Sequence, residues 1–339
     1  MSRAARKLAA AGCMLALAIP PLCAQTSVKL SLNGQLGGAV APFLVAADKG
    51  YYHAEGLYMT IDPGAGPFDT ASRLASTTYD VVFGDINALI RLRDQNSTSP
   101  LKAVFMVYNR PAYAIIGRKS RGVTKPKDLE DRRLGAPATD PAFAQWPLFA
   151  QLNDVDPAKV TVVNVGVPVR EPMLASGEVD AIAGSTFVSY VNLKERGVPN
   201  DDIDVMLMAD YGLVLYGGAV LVNAKFAADN PEAVRGFLRA FLKGLKDTVK
   251  NPVAAVDSAL KRTEGSRKEI ELERLRIALR DNILTPEVMA QGFGDIEPAR
   301  FDRALDQLAL AYTFKAKPKL QDVFDASFLP PLADRRPAK

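Results

Sequence analysis

The sequence contains few side chains that could carry out catalysis or hold a metal. His53 is the only histidine, and the two cysteines, Cys13 and Cys23, both lie near the amino terminus. A Ser–His–Asp triad or a multi-histidine metal site would have to use His53 alone, and its place beside two tyrosines at a helix–strand turn favours a surface residue. If the first residues are cleaved off, thiolate catalysis, disulfides and cysteine metal sites are excluded too. The residue types therefore indicate binding without a catalytic residue, a metal or a cofactor.

The residues suited to binding a small molecule follow predicted strands. Residues 28–61 read as strand, loop, helix and second strand, which is the unit of a parallel sheet. In open α/β sheets, ligands bind at the carboxyl ends of the strands and against helix N-termini. The loop after the first strand therefore supplies three candidate ligand-binding residues, Asn33, Gln35 and Gly38.

Two later strand ends have similar chemistry. Gly64 and Gly66 precede a predicted helix, where small residues let a ligand approach the backbone, although the full dinucleotide-binding spacing is missing. The strand at 79–84 leads into Asp85, which is either a ligand contact or a helix N-cap. The candidates from these two positions are Gly66, Phe68, Asp85 and Asn87.

The chain is predicted to cross twice between two halves. Strand patterns at 101–108 and 112–118 are interrupted at Asn109, and the return crossing lies at 212–218, which is rich in glycine. Glycines at such crossings can absorb the rotation of a hinge. Asn109, Tyr113 and Tyr216 are candidate ligand-binding residues at these crossings.

The second half supplies the remaining candidates. A helix is predicted at 141–153, with Thr139 or Asp140 as its cap, and its aromatic residues either stack on a flat solute or pack in the core. Arg170 either holds a carboxylate or sulfonate in a cleft or pairs with Glu171 or solvent. The candidates here are Thr139, Phe143, Trp146, Arg170, Ser185 and Phe187.

The amino-terminal segment has the pattern of a secretory signal peptide over residues 1–24. Three cations precede the apolar run at 8–19, and 22–24 offers a cleavage site. A transmembrane anchor is one alternative, but the run is shorter than the roughly 20 residues of a span. Lipid attachment at either cysteine is another. Cleavage predicts a periplasmic protein.

Removal of this leader changes the charge and leaves a chain long enough for two domains. The formal net charge falls from +4 to +1 when the three leader cations are lost, so there is no electrostatic case for nucleic acid binding. A hydrophobic content of 48% requires neither disorder nor a membrane span. Amphipathic helices are predicted at 230–250, 251–262, 267–281 and 298–313, and their alternating charges are expected to face solvent.

Three motifs resemble, in order, those of one protein family. They are Asp-Lys-Gly-Tyr-Tyr with Glu-Gly-Leu at 48–57, Thr-Lys-Pro-Lys-Asp-Leu with Arg-Leu-Gly at 124–135, and Leu-Ala-Ser-Gly-Glu-Val-Asp-Ala at 174–181. The chain resembles the periplasmic solute-binding proteins of ABC importers for nitrate, sulfonate, taurine and thiamine-pyrimidine precursors. The resemblance covers most of the chain after the leader.

The resemblance implies an α/β, two-lobe periplasmic-binding-protein fold of type II. Each lobe is then a mixed sheet flanked by helices, and a two-crossover hinge joins lobe I (25–115 and 212–339) to lobe II (116–211). The lobes would close on a small organic solute, and the closed form would dock on an ABC permease with its ATPase. The resemblance implies a monomer that meets the membrane only through the permease.

The competing function is an enzyme on the same fold. The resemblance extends in part to yeast and fungal thiamine-pyrimidine synthases, which carry a cysteine-rich iron motif and a reactive histidine. We expect no such activity, because no cysteine remains after the leader. The candidate solutes are an alkane- or arylsulfonate, an aromatic carboxylate, a thiamine precursor or a flavin-like ring.

Overall fold

The computed structural model describes residues 25–64, 73, 78–97 and 99–337. The predicted leader and the candidate residues Gly66 and Phe68 lie outside these residues. The described chain forms two five-stranded mixed sheets with helices packed on them, which confirms the predicted α/β class. Within the described ranges, no helix is long and apolar enough to cross a membrane.

The strands alternate with helices in most of the first two thirds of the chain. In chain order they are β1 (Thr26–Ser31), β2 (Leu57–Asp62), β3 (Val81–Asp85), β4 (Leu101–Met106), β5 (Tyr113–Arg118), β6 (Arg133–Ala136), β7 (Thr161–Asn164), β8 (Ala181–Ser185), β9 (Ile203–Leu207) and β10 (Gly218–Asn223).

The two sheets are built on one plan. The first has the order β2-β1-β3-β10-β4 and the second β7-β6-β8-β5-β9. In each sheet the first three strands are parallel, and the fourth runs antiparallel to its neighbour, pairing Gly218 with Asp85 and Tyr113 with Ser185. The carboxyl ends of β1, β3, β6 and β8 therefore lie where the chain passes from one sheet to the other.

The helices of the described chain are mostly short. They are α1 (Ala41–Asp48), α2 (Tyr51–Ala54), α3 (Ile86–Gln95), α4 (Trp146–Leu152), α5 (Arg170–Ser176), α6 (Thr186–Glu195), α7 (Ala224–Asp229), α8 (Pro231–Lys250), α9 (Pro252–Leu260), α10 (Lys268–Ile277), α11 (Pro286–Gln291), α12 (Pro298–Ala309), α13 (Leu320–Val323) and α14 (Leu332–Arg335). Short 3-10 segments include Gly38–Val40 and Phe143–Gln145, and a π-helical turn, Ala278–Ile283, follows α10.

Two predicted helices differ from the structure in informative ways. The helix predicted at 141–153 is α4 preceded by a 3-10 turn, because Pro147 cannot donate the backbone hydrogen bond that would extend α4 toward its N-terminus. The helix predicted at 230–250 is α8, but Asn230 makes no side-chain cap bond and instead donates to the Phe226 carbonyl.

Helix α8 covers the first sheet because its apolar face is continuous. Its Phe241 ring stacks on Phe43 of α1 at a centroid distance of 4.3 Å, and Phe237 stacks on Tyr52 at 5.2 Å. Gly244 brings the two helices together, because a Cβ atom there would overlap the carbonyl oxygen of Pro42. This packing fixes the position of the loop that precedes α1.

The two crossings lie at 107–112 and 212–217. Strand β5 pairs entirely within the second sheet, so the predicted division at 115/116 falls inside a strand. Gly212, at the start of the return crossing, has a φ of 93°, which glycine adopts without strain. We propose that lobe I, which carries the first sheet, and lobe II, which carries the second, divide at these crossings.

Candidate functional site

The candidate site is the seam between the lobes, onto which the ends of β1, β3, β6 and β8 open. Contacts across the seam join these ends. Arg91 of α3 donates to the carbonyl of Ala144 after β6 at 3.2 Å, and the ring of Tyr108 meets that of Phe187 of α6 at 5.9 Å. The residues predicted after β3, β6 and β8 are therefore brought to one region.

Asp85 caps α3 and bonds to the first strand residue of lobe II. Its carboxylate accepts from the backbone N–H groups of Asn87 (2.7 Å) and Ala88 (3.1 Å), and the Tyr113 hydroxyl donates to it. Burial raises the pKa of Asp85, although these donors oppose the shift. Burial and the adjacent Asp85 carboxylate raise the pKa of Tyr113. The cap interpretation of Asp85 thus matches the structure.

Asn87 extends this set of bonds to the return crossing. Its amide nitrogen donates to the Tyr113 hydroxyl at 3.0 Å and to the Tyr216 carbonyl at 2.7 Å, so both N–H groups of the amide are engaged. Asn87 is 2% exposed. The side chain ties the two crossings to each other.

A second set of bonds surrounds Arg300 of α12. Its guanidinium lies 4.0 Å from the Tyr216 ring centroid and donates to Asn109 Oδ1 (2.9 Å) and Glu287 Oε2 (3.0 Å). Asn109 in turn donates to Glu287 and accepts from the Thr285 hydroxyl. The guanidinium also donates to three crossing carbonyls, those of Asn109, Val214 and Leu215.

The residues of these two sets form the hinge network, in which the polar side-chain groups bond to one another or to the crossing backbone. Its members are Asp85, Asn87, Asn109, Tyr113, Tyr216, Thr285, Glu287 and Arg300. Five of them, Asp85, Asn87, Asn109, Tyr113 and Tyr216, are among the residues predicted to bind ligand, and in the structure their side chains bond to protein groups at or beside the crossings. The residues that hold a hinge and those that line a cleft occur at the same strand ends, which is why the sequence pattern does not separate them.

Arg170 is held between two carboxylates. It donates to Asp140 at 2.7 Å and to Glu171 at 2.7 Å, and it also donates to the Ala183 carbonyl at 3.2 Å. Its side chain is 5% exposed. Burial raises the pKa of Asp140, and Arg170 lowers it in part. The alternative in which Arg170 pairs with Glu171 describes the structure, and the group as a whole carries no excess positive charge when both carboxyls are ionised.

The segment after β6 places its aromatic residues differently. Trp146 is 4% exposed and packs on Phe149 at 6.2 Å, within the core. Phe143 is half-buried at the edge of the same cluster. Thr139 is exposed, and the cap of this segment is Asp140, which accepts from the Ala142 and Phe143 N–H groups.

The beginning of α6 holds the largest group of unpartnered buried polar atoms in the described seam. The hydroxyl oxygens of Ser185, Thr186 and Ser189 are buried, and none has a hydrogen-bond partner within the described protein. Ser185 is the N-cap residue of α6 yet makes no side-chain cap bond. Phe187, in the same turn, is half-buried. A buried hydroxyl without a partner costs about 1–3 kcal/mol, so three in one turn call for an explanation.

The loop after β1 completes the described seam. Gln35 is exposed and Asn33 is half-buried. The N–H group of Gly38 donates to the Glu271 carboxylate at 2.6 Å, and a Cβ atom at Gly38 would overlap the Glu271 carbonyl oxygen. Gly38 therefore meets α10 of its own lobe.

The comparison with known families matches most of the chain. The family described as NMT1/THI5 like matches residues 38–255.

This chain belongs to the NMT1/THI5-like family.

Curated relatives of this NMT1/THI5-like chain carry two kinds of name. The "Riboflavin-binding protein RibY" of Chloroflexus aurantiacus is 29% identical over 86% of this chain and 82% of its own length. The 4-amino-5-hydroxymethyl-2-methylpyrimidine phosphate synthase of Schizosaccharomyces pombe is 24% identical, over 62% of each chain. The Legionella pneumophila synthase of that name is 23% identical over 69% of this chain and 72% of its own.

Solved structures with the same fold include periplasmic binding proteins. The aliphatic sulphonate binding protein SsuA of Escherichia coli has a TM-score of 0.69 at 12% identity, covering 88% of this chain and 92% of its own. The nitrate-binding protein NrtA of Synechocystis PCC 6803 has a TM-score of 0.67 at 12% identity, covering 89% and 87%. The predicted periplasmic-binding-protein fold and family resemblance are confirmed.

Several seam residues of this NMT1/THI5-like protein were not among the predicted ones. Thr186 and Ser189 lie one and four residues beyond Ser185, and helical spacing from a strand end was a usable signal for them. Glu271 and Arg274 were expected to face solvent, but Glu271 is 8% exposed and both contact the seam. Their distance in sequence from the loop after β1 left no local signal.

Proposed function

We propose that the protein is an extracytoplasmic solute-binding receptor of an ABC importer and that it does not catalyse a reaction. The lobes close at the crossings 107–112 and 212–217 over a small organic solute, and the closed form docks on a membrane permease powered by its ATPase. The likeness in fold to sulfonate- and nitrate-binding periplasmic proteins supports this role. The receptor works as a monomer in the periplasm after loss of its leader.

The observation that carries the proposal is the group of unpartnered hydroxyls at the start of α6. Ser185, Thr186 and Ser189 bring three hydroxyls to a strand end that opens onto the seam. A hydroxyl both donates and accepts, so a solute rich in carbonyl, imide or hydroxyl groups satisfies all three. These hydroxyls have already lost their contacts with water in the folded protein. Each hydrogen bond to a solute offsets that desolvation penalty and so favours binding.

The solute is uncharged. Three arginines near the strand ends of the seam already contact protein groups: Arg73 contacts Ser31 and the Pro63 carbonyl, Arg91 the Ala144 carbonyl, and Arg170 two carboxylates. An anion would have to compete with Asp140 and Glu171 for Arg170, and it would lie near their negative charges. Neutral hydrogen-bonding groups face no such competition.

The solute is flat. The half-buried rings of Phe143 and Phe187 flank the two lobe II strand ends, and Asn33, Gln35 and Thr139 supply polar groups at the rim. Aromatic faces favour a planar ring system, and the rim groups favour a polar tail. Riboflavin combines an uncharged ring carrying carbonyls with a polyhydroxyl chain, and a relative of this chain is named for binding it. Riboflavin is therefore the first solute to test.

The experiment is a titration of the full chain with riboflavin, followed by quenching of flavin fluorescence and by thermal unfolding. We expect saturable quenching, a higher melting temperature and unchanged riboflavin after prolonged incubation. MOPS, a sulfonate bound to an SsuA protein in a solved structure, is the matched probe at a pH above the pKa of its amine, where it is anionic, and is expected to leave the melting temperature unchanged.

Three results would contradict the proposal. Stabilisation by MOPS alone would contradict the uncharged solute, and conversion of the bound molecule to a product would contradict a receptor. Native mass spectrometry of the purified protein supplies a check that does not depend on riboflavin. A co-purifying molecule that is anionic and not planar would overturn both inferences about the solute.

A further inference from the structure

Helix α10 belongs to lobe I but contacts lobe II along α6. Its carboxylate Glu271 accepts from the N–H group of Gly38 in the loop after β1, and the side chain of Glu271 is 10% exposed. A Cβ atom at Gly38 would overlap the backbone carbonyl oxygen of Glu271, and one at Gly37 would displace the Glu271 carboxylate. The loop after β1, which forms the lobe I wall of the seam, thus packs directly against α10.

Arg274 connects the same carboxylate to lobe II. Its Nε lies 3.4 Å from Glu271 Oε1, while its terminal nitrogens donate to the carbonyls of Phe187 (3.2 Å) and Val188 (3.4 Å) and to Asn192 Oδ1 (2.7 Å). The Arg274 side chain is 15% exposed. Its contacts with α6 begin in the turn that carries the unpartnered hydroxyls.

Three ion pairs also join the two helices, and one of them is Arg274 with Glu195 at 3.3 Å. Lys194 pairs with Glu273, and Arg267 pairs with Glu195. The Arg267 side chain is 64% exposed, and exposed pairs contribute little. Lys194 and Glu273 are half-buried, at 22% and 30% exposed, but Arg274 makes more bonds to α6 than either and is more shielded.

We propose that Glu271 and Arg274 are positioning residues that couple the solute site to lobe closure. The proposal rests on the proposed function, since it concerns a solute held between two lobes. Glu271 holds the loop after β1, Arg274 holds the first turns of α6, and the two side chains contact each other. Opening of the lobes separates α6 from α10 and breaks the Arg274 bonds, so these bonds favour the closed form and slow the release of the solute.

The test compares Arg274→Gln with Arg276→Gln in the full chain. Arg276 lies on the same helix and is exposed, so it controls for the loss of one positive charge. We expect riboflavin to dissociate about fivefold to tenfold faster from Arg274→Gln, since most differences in affinity between related complexes lie in the dissociation rate. We expect Arg276→Gln to match the wild type.

Small-angle X-ray scattering without any solute supplies a second measurement. Arg274→Gln should have a larger radius of gyration than the wild type, and saturating riboflavin should bring the two together. A purely structural role would lower the melting temperature without changing the radius of gyration. Arg274→Lys keeps the charge but lacks the planar fork, so it should restore only part of the wild-type behaviour.

The scattering measurement distinguishes a failure of the proposed role of Arg274 from a failure of riboflavin as the solute. If riboflavin does not bind the wild type, riboflavin is overturned as the solute, whereas the radius of gyration still decides the role of Arg274. Equal radii and equal dissociation rates for Arg274→Gln and Arg276→Gln would overturn the role of Arg274. Glu271→Gln is the milder variant, because it keeps an acceptor for Gly38 and weakens only the contact with Arg274, and its radius should lie between those of the other two.

Discussion

The hinge network and the start of α6 lie near each other and both contain buried polar side chains, yet they differ in hydrogen bonding. In the hinge network, Asn87 uses both of its amide N–H groups, and Arg300 donates to two side chains and three carbonyls. At the start of α6, Ser185, Thr186 and Ser189 have no partner in the described protein. The buried polar side chains of the hinge network find their hydrogen-bond partners within the protein, whereas the three hydroxyls at the start of α6 do not.

The difference separates residues that shape the seam from residues available to a solute. A bonded polar group gains nothing by contacting a ligand unless it gives up a protein partner, whereas a buried group without a partner gains a full bond. Burial alone would place Thr186 and Thr285 in one class, since they are 2% and 3% exposed. Their partners, or lack of them, are the basis for placing Thr186 in the proposed solute site and Thr285 in the hinge network.

The largest expected effect comes from Arg300→Met. It leaves the Glu287 carboxylate without a cation and removes the donor from three crossing carbonyls. We expect the free energy of unfolding to fall by about 3 kcal/mol, as for other shielded ion pairs that lose one partner. Chemical denaturation measures it, with Arg303→Met as the control, because that side chain on the same helix is 60% exposed. A loss under about 1 kcal/mol would show that the hinge network is dispensable for stability.

The next effect compares two buried threonines directly. Thr285→Val removes a hydroxyl that donates to Asn109 at 2.8 Å and caps α11 through the Val288 N–H, and should cost about 1–2 kcal/mol of stability. Thr186→Val removes a hydroxyl that has no partner among the described residues, and it should leave stability unchanged or raise it by up to about 1 kcal/mol.

Riboflavin affinity should show the opposite order for these two variants. We expect Thr186→Val to weaken binding about tenfold and Thr285→Val to weaken it by less than about threefold, since a neutral hydrogen bond contributes about 1 kcal/mol. Fluorescence titration and denaturation of both variants measure the two quantities. Equal stability losses would remove the distinction between bonded and unpartnered hydroxyls.

The smallest effect concerns pH. Burial raises the pKa of Asp85 above its ordinary value of 3.8, so the folded state binds this proton more tightly than the unfolded state. The resulting stabilisation is present below about pH 3.8 and is lost as the pH rises through the raised folded pKa. Asp85→Asn keeps a cap acceptor and does not ionise. As the pH rises through the raised pKa of Asp85, the stability of Asp85→Asn relative to the wild type should therefore increase. It should level off at higher pH.

Denaturation at a series of pH values measures this difference, with Asp229→Asn of α7 as the control, because the Asp229 side chain is 56% exposed. Parallel profiles for Asp85→Asn and the wild type would mean that Asp85 titrates alike in the folded and unfolded states. Such a result would leave the hinge network intact but remove the energetic cost assigned to its buried carboxylate.

The features predictable from the sequence are those decided by near neighbours. Asp85 as a cap requires only the two N–H groups that follow it, and α8 follows from its apolar spacing between Asn230 and Asn251. The bond from Gly38 to Glu271 joins residues 233 positions apart, and that from Arg300 to Asn109 joins residues 191 apart. No pattern in the sequence marks such pairs, so the bonds of the hinge network were not predicted and the charges of α10 were expected to face solvent.

The position of β10 has a consequence for how the chain acquires its structure. This strand, Gly218–Asn223, lies between β3 and β4 in the interior of the first sheet. During synthesis, β3 and β4 cannot be joined in one sheet until β10 is available. Residues 113–207, by contrast, contain every strand of the second sheet. The second sheet can therefore assemble before the first. The first sheet stays incomplete, and accessible to chaperones, until residue 223 has been synthesised.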